Sequence, residues 1–287
     1  MKEYKEEMNK QDKIIRVGQA SVLQHGKLND RIYLMKLVQE DAVVVFKTIE
    51  SLVARYGYSK VFCKVPAQVA PLFLSKGYIL EAHISGFYRG KEDAFFISKF
   101  PKSSRQFTDY PDSQLEMLYQ LMQNKIDVKS YLLSTEYTIR KLSVNDIPKI
   151  ASLYEETFKS YPFPIHDPAY IAETMGRHVE YFGAFKKDEL AALASAEIDF
   201  QAKNAEMTDF ATHKAHAGHN LSCSLLEMME YEMQLQGITT LYTIARSLSV
   251  PMNKTFIRLH FKYAGTLINN TNIAGSIESM NVFYKHV

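Results

Sequence analysis

Three histidines close together are the residues whose type and spacing first suggest chemistry. They are His213, His216 and His219, in the run HKAHAGH. Imidazole binds zinc well, so a metal centre is one interpretation. Spacing alone does not bring three ligands to one ion, however, and Cys63 and Cys223 are too far apart in the sequence for a four-cysteine zinc site. We therefore predict no metal.

These histidines lie in a predicted loop between a strand and a helix. Alternating residues predict the strand at 205–212, and helical apolar spacing predicts an amphipathic helix at 221–236 that ends at Gly237. The other predicted elements of this half are, in chain order, a strand at 137–142, helices ending near 160 and at 176, strands at 181–185, 190–200 and 239–245, a helix at 250–259, and strands at 263–269 and 278–285. This mixture predicts an α/β fold.

The composition fits a soluble globular protein. Of 287 residues, 46% are apolar and 23% are charged, which is close to average. The length fits one large domain or two of ordinary size. No stretch reaches about eighteen consecutive apolar residues, so we expect no membrane span. The first residues, MKEYKEEMNKQDK, lack an apolar signal core. Together with the few cysteines this predicts a reducing, cytoplasmic location.

Charge is distributed unevenly along the chain. Residues 1–135 carry 20 basic and 15 acidic side chains, whereas residues 136–287 carry 14 and 17. A mildly acidic C-terminal half is a poor surface for nucleic acid, so we expect no nucleic-acid partner. Its charge would instead attract a cationic small molecule.

An internal repeat relates the two ends of the sequence. Residues 56–100 match residues 236–286 in five features that follow the same order. The features are a helix ending in glycine (Gly57, Gly237), an apolar strand (61–65, 241–245), a short helix begun by proline (Pro66, Pro251) with a phenylalanine near its end (Phe73, Phe256), a turn with glycine (Gly86, Gly275) and a closing strand (94–99, 280–285). We predict two similar halves, 1–133 and 134–287, with a polar linker at about 103–114 and a helix at 115–133.

The element order and the stretch AEMTDFATHKAHAGHNLS, residues 205–222, resemble the Gcn5-related N-acetyltransferase (GNAT) superfamily. Members of that family have a loop of the form Gln/Arg-x-x-Gly-x-Gly/Ala before a helix. Its three positions fall here on Ala217, Asn220 and Ser222, none of which keeps the usual residue. Nearly the whole chain resembles the β-lysine N-acetyltransferases, in the stretches YPFPIHDPAYI, EMTDFAT, YAGTLINNTNIAGSIESMNVFYK, HGKLNDRIYLMKL and VPAQVAPLFLSKGY.

The resemblance implies a mixed, mostly antiparallel sheet flanked by helices. It also implies an enzyme that moves acetyl from acetyl-CoA to the terminal amine of β-lysine. Such enzymes work with a lysine 2,3-aminomutase, and the product is a compatible solute. Two alternatives stay open: an acetyltransferase for another amine, such as a polyamine, aminoglycoside or protein lysine, and a coenzyme-binding regulatory module without catalysis. A homodimer also stays open.

Catalytic residues follow from the same resemblance. Glu206 matches the glutamate that deprotonates the amine in similar acetyltransferases, and Asp209 is the competing base. On a regular strand the two would face opposite sides, but this family's strand bulges here, so parity does not decide between them. The family's acid is a tyrosine, and Phe256 replaces it. We expect direct transfer, because Cys223 lies inside a helix with no evident base.

Binding residues are implied in the same way. Acetyl-CoA should contact the strand end and the following loop, at Phe210, Ala211, Thr212, Ala217, Gly218, His219, Asn220, Leu221 and Ser222, with Asn253 near the thiol. The acceptor should meet Tyr161, Phe163, His166 and Glu197. The N-terminal half lacks a glycine-rich loop before its helix at 41–56. We therefore expect this half to bind no cofactor and to cover or complete the other half's cleft.

Overall fold

A computed structural model describes residues 11–108, 111–123, 134–273 and 275–287. The strands are β1 (Lys13–Val17), β2 (Ser21–Gly26), β3 (Arg31–Lys36), β4 (Lys60–Pro66), β5 (Ile79–Tyr88), β6 (Glu92–Lys99), β7 (Tyr137–Lys141), β8 (Val179–Lys186), β9 (Glu189–Asp199), β10 (Asn204–Thr212), β11 (Thr240–Arg246), β12 (Lys262–Ile273) and β13 (Ser276–His286). The α-helices are α1 (Ala42–Tyr56), α2 (Ala70–Leu74), α3 (Pro111–Gln123), α4 (Ile147–Thr157), α5 (Pro168–Met175), α6 (Leu221–Leu235) and α7 (Val250–Arg258). No helix in these ranges is long and apolar enough to cross a membrane.

All of these strands belong to one mixed sheet. Their order is β1-β2-β3-β4-β6-β5-β12-β13-β11-β10-β9-β8-β7. Two neighbouring pairs, β3 with β4 and β10 with β11, are parallel. The predicted α/β class and the mixed, mostly antiparallel sheet are therefore confirmed.

The two halves of the sheet repeat one topology. In each half a long helix (α1 or α6) connects the two parallel strands, and the next two strands follow in swapped order, β4-β6-β5 and β11-β13-β12. The short helices α2 and α7 end alike. Gly77 and His260 have φ angles of 81° and 64°, and the next N–H bonds back to the carbonyl of Phe73 or Phe256 at 3.3 and 3.0 Å. This ending is a Schellman motif.

The halves join where β5 pairs with β12. Ala82 and Gly265 face each other there, and each follows a bulge in its own strand, at Glu81 and Ala264. The two partners thus occupy equivalent positions of the repeat. The contact is so close that a Cβ at Gly265 would lie 2.1 Å from the Glu81 carbonyl oxygen, which explains a glycine at this position.

The sheet also curls, so that its two halves approach each other a second time. Arg89 at the β5–β6 turn donates from its backbone N–H to the Ala202 carbonyl and from Nε to the Gln201 carbonyl, both at 2.7 Å. Lys36 at the end of β3 lies 3.6 Å from Asp199. A cavity is enclosed between β3–β4 on one side and β10–β11 on the other.

Some local predictions need correction. Pro66 ends β4 and does not begin α2, which has Pro71 in its first turn instead. Gly86 lies inside β5, and the hairpin turns farther on, at 89–91. Proline and glycine mark irregular backbone, but they do not say which irregularity forms.

The segment between the halves is only partly described. Helix α3 begins at Pro111 rather than at 115, and the predicted part beyond 123 lies outside the described residues. Within the predicted linker, Ser103–Gln106 form a 3-10 helix. Its Arg105 is buried and donates hydrogen bonds to Asn29, Ser59 and Asn269.

Candidate active site

A cavity of about 1010 Å³ lies between the halves and is lined by residues of both. From the N-terminal half come Arg31 and Tyr33 of β3, Phe62 and Lys64 of β4, and Phe87 of β5. The C-terminal half contributes strands β9–β11 and the loop between α4 and α5. A cavity of this size holds a drug-sized ligand.

Glu206 lines this cavity from the middle of β10. Its direct cross-strand neighbour is Glu197 on β9, and its neighbour on β11 is Tyr242. Burial, together with the nearby Glu197 carboxylate, raises the pKa of Glu206 to about 7. A carboxyl group with this pKa is half ionised near neutral pH, which suits a general base.

A cation from the N-terminal half offsets the negative charge of these two carboxylates. Lys64 donates a hydrogen bond from Nζ to the Tyr242 hydroxyl at 2.8 Å, and that hydroxyl hydrogen-bonds to Glu206. The ammonium of Lys64 lowers the pKa values of both Glu206 and Glu197 against the larger effect of burial. Lys64 therefore connects the N-terminal half to the candidate base.

Asp209 lies in the same cavity because β10 bulges. Its φ is 55°, and the register with β9 shifts between Thr208 and Ala211. The carboxylate accepts hydrogen bonds from the hydroxyls of Tyr161, Ser195 (2.6 Å) and Thr208 (3.2 Å). Burial still raises the pKa of Asp209. Three hydroxyl groups thus donate hydrogen bonds to the Asp209 carboxylate, whereas among the described residues Tyr242 is the one hydroxyl donor to Glu206.

Three of the four predicted acceptor residues line the cavity. Tyr161, Phe163 and Glu197 do so, but His166 is exposed and lies outside it. The turn Ile165–Asp167 directs His166 outwards, since Ile165 fills the interior instead. His178, 3.8 Å from Glu197, also lines the cavity.

Next to the cavity, β10 and β11 diverge. Their parallel ladder ends at the Glu206–Tyr242 pair, so the edge of β10 that faces β11 has no strand partner beyond that point within the described residues. Phe210 and Thr212 are half-buried along this edge, and Ala211 is buried. An open strand edge can bind an extended ligand through backbone hydrogen bonds.

The loop that follows ends in a row of free donors. The backbone N–H groups of residues 218–222 have no hydrogen-bond partner in the described part of the chain. Gly218 and Asn220 turn this backbone, with φ angles of 85° and 55°. Leu221 starts α6, so the helix dipole adds a positive end to the row. Such a nest binds phosphates.

Arg258 of α7 supports the same loop. It donates from Nη1 to Asn220 Oδ1 at 3.0 Å, and its Nε is buried without a partner among the described residues. Ala217 and His219 expose their side chains and Ser222 is half-buried, whereas the Leu221 side chain belongs to the core. The backbone of this loop, and not its side chains, thus provides most of the anion-binding groups.

The chain matches one protein family and several known proteins. Residues 149–261 match the acetyltransferase (GNAT) family. The chain is 39% identical to a beta-lysine N(6)-acetyltransferase of Methanococcus maripaludis, over 96% of this chain and 98% of that protein. It is 30% identical to N-acetyltransferase YodP of Bacillus subtilis, over 94% and 97% of the two chains. A beta-lysine N(6)-acetyltransferase of Methanosarcina mazei is also 30% identical, over 72% and 83%.

The chain belongs to the GNAT acetyltransferase family. It is therefore an acetyltransferase, and acetyl-CoA is its acetyl donor. The residues present fit this donor. The diverging β10 edge can bind the amides of the pantetheine arm, and the free N–H groups of residues 218–222, with Arg258 beside them, can hold a pyrophosphate.

Other residues of this GNAT chain have roles apart from acetyl-CoA. Asn253 is fully buried, and its amide donates to the carbonyls of Arg246, Ser247 and Ser249, while its oxygen accepts from Asn281. It therefore fixes the turn between β11 and α7 and has no group left for the thiol.

Neither Phe256 nor Cys223 can take a chemical part. Phe256 packs against the rings of Phe210, Phe261 and Phe283 and has no proton to give. Cys223 is buried, and burial raises the pKa of its thiol. Its Sγ lies 3.9 Å from the Thr255 hydroxyl. A buried neutral thiol is a poor nucleophile.

The histidine run does not gather into one centre. His213 and His216 lie near Glu189, with ligand atoms within 4.8 Å of one another, but His219 is not part of this group. His216 has one ring nitrogen 3.0 Å from the Tyr137 hydroxyl and the other 3.2 Å from Glu189. These contacts attach the loop to β7 and the β8–β9 turn.

Proposed function

We propose that the protein transfers acetyl from acetyl-CoA to the terminal amine of β-lysine. The observation that carries the proposal is a carboxylate pair, Glu206 and Glu197, on neighbouring strands of a cavity beside the open edge of β10. Two relatives named as beta-lysine N(6)-acetyltransferases, which match 96% and 72% of the chain, support the choice of β-lysine.

Glu206 is the general base of this proposal. The acceptor amine arrives as an ammonium, because its ordinary pKa is about 10.4. Glu197 and Glu206 attract that cation, and Glu206 takes one of its protons. A base with a pKa of about 7 is about half ionised near neutral pH and accepts the proton without holding it too tightly. Tyr242, held by Lys64, orients the carboxylate of Glu206.

Asp209 has a positioning role in this scheme. It holds the hydroxyl of Tyr161, which brings the α4–α5 loop against the cavity. Acetyl-CoA supplies the acetyl group as a thioester. We expect its pantetheine arm to follow the backbone of Phe210–Thr212 and its phosphates to meet the N–H groups of residues 218–222. Because Cys223 is buried, direct attack by the amine is favoured over an acetylated enzyme.

The product, Nε-acetyl-β-lysine, is neutral overall, because its carboxylate balances the one remaining ammonium. A neutral, highly polar solute suits a role as a compatible solute. We assign the reaction to the cytoplasm, where both buried, unpaired cysteines stay reduced.

An acceptor screen on two proteins tests the proposal. Thiol release from acetyl-CoA is measured with β-lysine, α-lysine and spermidine, for the wild type and for Glu206→Gln. We expect β-lysine to give the highest kcat/KM, and Glu206→Gln to reduce kcat by roughly 10²- to 10⁴-fold because the base is lost. The matched control is Glu155→Gln, since Glu155 is exposed on α4 and outside the cavity.

Each alternative has its own outcome in this screen. Spermidine turnover without β-lysine turnover would favour a polyamine acetyltransferase. Binding of acetyl-CoA without turnover of any amine would favour a regulatory module. Full activity in Glu206→Gln would contradict the role of Glu206.

A further inference from the structure

A cluster of buried cations lies at the other end of the cavity from Glu206. Arg31, Lys60 and Arg105 are 4%, 0% and 8% exposed. Among the described residues only one carboxylate pairs with this cluster: Glu81 lies 2.8 Å from Lys60 Nζ. Buried charges are normally paired. Asp12 acts on Arg31, and Asp30 acts on Arg105, only at longer range and without an ion pair, so Arg31 and Arg105 have no direct counter-ion among the described residues.

Within the cluster, Arg31 is the cation that reaches the ligand space. It lines the cavity, whereas Lys60 and Arg105 do not. Its Nη1 donates to the Asn270 carbonyl at 2.7 Å and to Thr271 Oγ1 at 3.2 Å. These bonds hold the guanidinium in place. Its other N–H donors have no partner among the residues that the structure describes, and no carboxylate there forms an ion pair with it.

The other cations along the cavity wall have partners, apart from Lys91, whose side chain is exposed. Arg246 forms two hydrogen bonds with Glu278, at 2.7 and 2.9 Å. Lys64 bonds to Tyr242, and Lys36 lies 3.6 Å from Asp199. The guanidinium of Arg89 donates to a carbonyl at the surface. Arg31 thus stands out as a buried guanidinium with no carboxylate in direct contact among the described residues, since Asp12 and Glu81 act on it only at longer range.

The two charged ends of the cavity are joined by an aromatic wall. Tyr33 lies two residues after Arg31 on the same face of β3, and its ring stacks on Phe62 with the ring centroids 4.7 Å apart. Tyr33 also lies close enough to Glu206 and Glu197 for their charges to raise its pKa. The Arg31 guanidinium is 5.2 Å from the Tyr33 ring. The cavity is therefore positive at one end, apolar in the middle and negative at the other end.

We propose that Arg31, a residue of the degenerate half, binds the carboxylate of the acceptor and so makes the enzyme select amino acids over polyamines. The inference rests on the proposed function, because it concerns the acceptor of that same site. β-Lysine has a carboxylate at one end, a second ammonium on the second carbon from that carboxylate, then methylenes, and the reacting amine at the other end; its carboxylate and reacting amine are thus ordered as the positive and negative ends of the cavity are. A guanidinium can hold a carboxylate by two parallel hydrogen bonds.

The test compares two acceptors on Arg31→Met. The acceptors are β-lysine and 1,5-diaminopentane, which has a terminal amine and methylenes but no carboxylate. We expect Arg31→Met to raise KM for β-lysine by about 30- to 100-fold with a small change in kcat, and to leave KM for the diamine unchanged or lower, because the unpaired charge no longer opposes the diamine. Arg31→Lys keeps the charge but loses the planar guanidinium that can donate two parallel hydrogen bonds, so we expect a smaller rise in KM for β-lysine, of about tenfold.

Two further measurements separate a specific role from a structural one. Arg105→Met is the matched control, because it removes a buried cation that does not line the cavity. It should lower Tm without changing the ratio of kcat/KM between the two acceptors. Calorimetric binding of β-lysine and the diamine gives the same comparison without turnover. If Arg31→Met does not fold, Arg31→Lys provides the test.

The outcomes distinguish this inference from the proposed function. A wild type that prefers β-lysine, with the preference kept in both Arg31 variants, would overturn the inference alone. An equal loss for both acceptors would also overturn it. Binding of β-lysine that depends on Arg31, without its acetylation, would overturn the proposed function and leave the carboxylate site standing.

Discussion

The two halves of the molecule share a topology but differ at the positions where chemistry is done. Tyr33 on β3 pairs with Phe62 on β4, as Glu206 on β10 pairs with Tyr242 on β11. Phe62 and Tyr242 are equivalent, because each follows its helix-ending glycine, Gly57 or Gly237, by the same number of residues. The N-terminal half thus has a tyrosine where the other half has its candidate base.

The helix N-termini differ as well. In the C-terminal half the loop His213–Asn220 precedes α6 and presents free N–H groups. In the N-terminal half only Leu37 and Val38 separate β3 from the 3-10 helix that leads into α1. Asp41 at that helix start accepts hydrogen bonds from the backbone of Gln19, Ala20 and Ser21. Asp41 thus has a carboxylate at the start of α1 that contacts the β1–β2 turn.

The N-terminal half contributes side chains to the cavity that it shares with the C-terminal half. Lys64 reaches Tyr242 beside Glu206, and Arg31 reaches the opposite end of the cavity. The difference between the halves shows that two parts with the same topology can contribute different groups to one cavity: cations from one half, and the carboxylates Glu197 and Glu206 from the other.

The largest effect on stability should come from removing the buried carboxylate of Glu81, which lies where the two halves join. Glu81 accepts hydrogen bonds from Lys60 of its own half at 2.8 Å and from the Ile268 N–H of the other half at 2.7 Å. Glu81→Gln leaves Lys60 buried without its counter-ion, so we expect the free energy of unfolding to fall by about 3–5 kcal/mol. Urea unfolding measures this change.

A double variant is the control for that experiment. Lys60→Met together with Glu81→Gln removes both charges and should recover part of the lost stability. Glu50→Gln, at an exposed position of α1, should have no effect. An unchanged unfolding free energy in Glu81→Gln would mean that this ion pair does not hold the halves together.

A smaller effect should follow from adding a carboxylate at the start of α6, as α1 has Asp41 at its own start. Asn220→Asp keeps the left-handed backbone and the acceptor for Arg258 but adds a negative charge beside the free N–H groups. We expect KM for acetyl-CoA to rise about tenfold, because like charges would then oppose each other at the cradle. Steady-state kinetics with varied acetyl-CoA measures it.

Asp41→Asn is the matching change in the N-terminal half. It should lower Tm, because the amide accepts the hydrogen bonds of residues 19–21 less strongly, and it should leave KM for acetyl-CoA unchanged. Since those hydrogen bonds lower the pKa of Asp41, its stabilising effect should be present above its unfolded pKa and lost as pH falls through the folded value. A raised KM for acetyl-CoA in Asp41→Asn would indicate a second cofactor site.

The sequence predicted the helices, strands and loop of the C-terminal half in more detail than the residues that line the cavity. Alternating residues predicted β10, and helical apolar spacing with Gly237 at its end predicted α6. The loop follows between them, because these signals come from residues that are close together in the sequence. The divergence of β10 from β11 and the free N–H groups at 218–222 agree with what the resemblance implied for acetyl-CoA. His166 lies outside the cavity, and the Asn253 amide bonds to the turn between β11 and α7. Exposure and hydrogen bonding at a turn depend on neighbouring residues that sequence spacing does not specify.

Residues of the N-terminal half could not be predicted as part of the site. Arg31, Tyr33 and Lys64 approach β10 and β11 only because the sheet curls and its two halves face each other across the cavity. Contacts over such long sequence separations leave no periodic pattern. One signal was available: three consecutive alternate residues of β3, Arg31, Tyr33 and Met35, are large, and all three line the cavity.

The central claim is that both halves form one active site, in which Lys64 adjusts Glu206. The pH dependence of kcat/KM for β-lysine tests it most directly. In the wild type, activity should rise with an apparent pKa of about 7 as Glu206 ionises. Lys64→Met removes the cation that favours ionised Glu206, so the profile should move to higher pH by on the order of one unit.

Two companion variants complete this measurement. Glu197→Gln removes a like charge and should move the profile to lower pH, whereas Lys47→Met, at an exposed position of α1, should leave it in place. Opposite shifts for Lys64→Met and Glu197→Gln are the result that the account predicts. Profiles that keep the wild-type pKa in both variants would contradict a base tuned across the two halves.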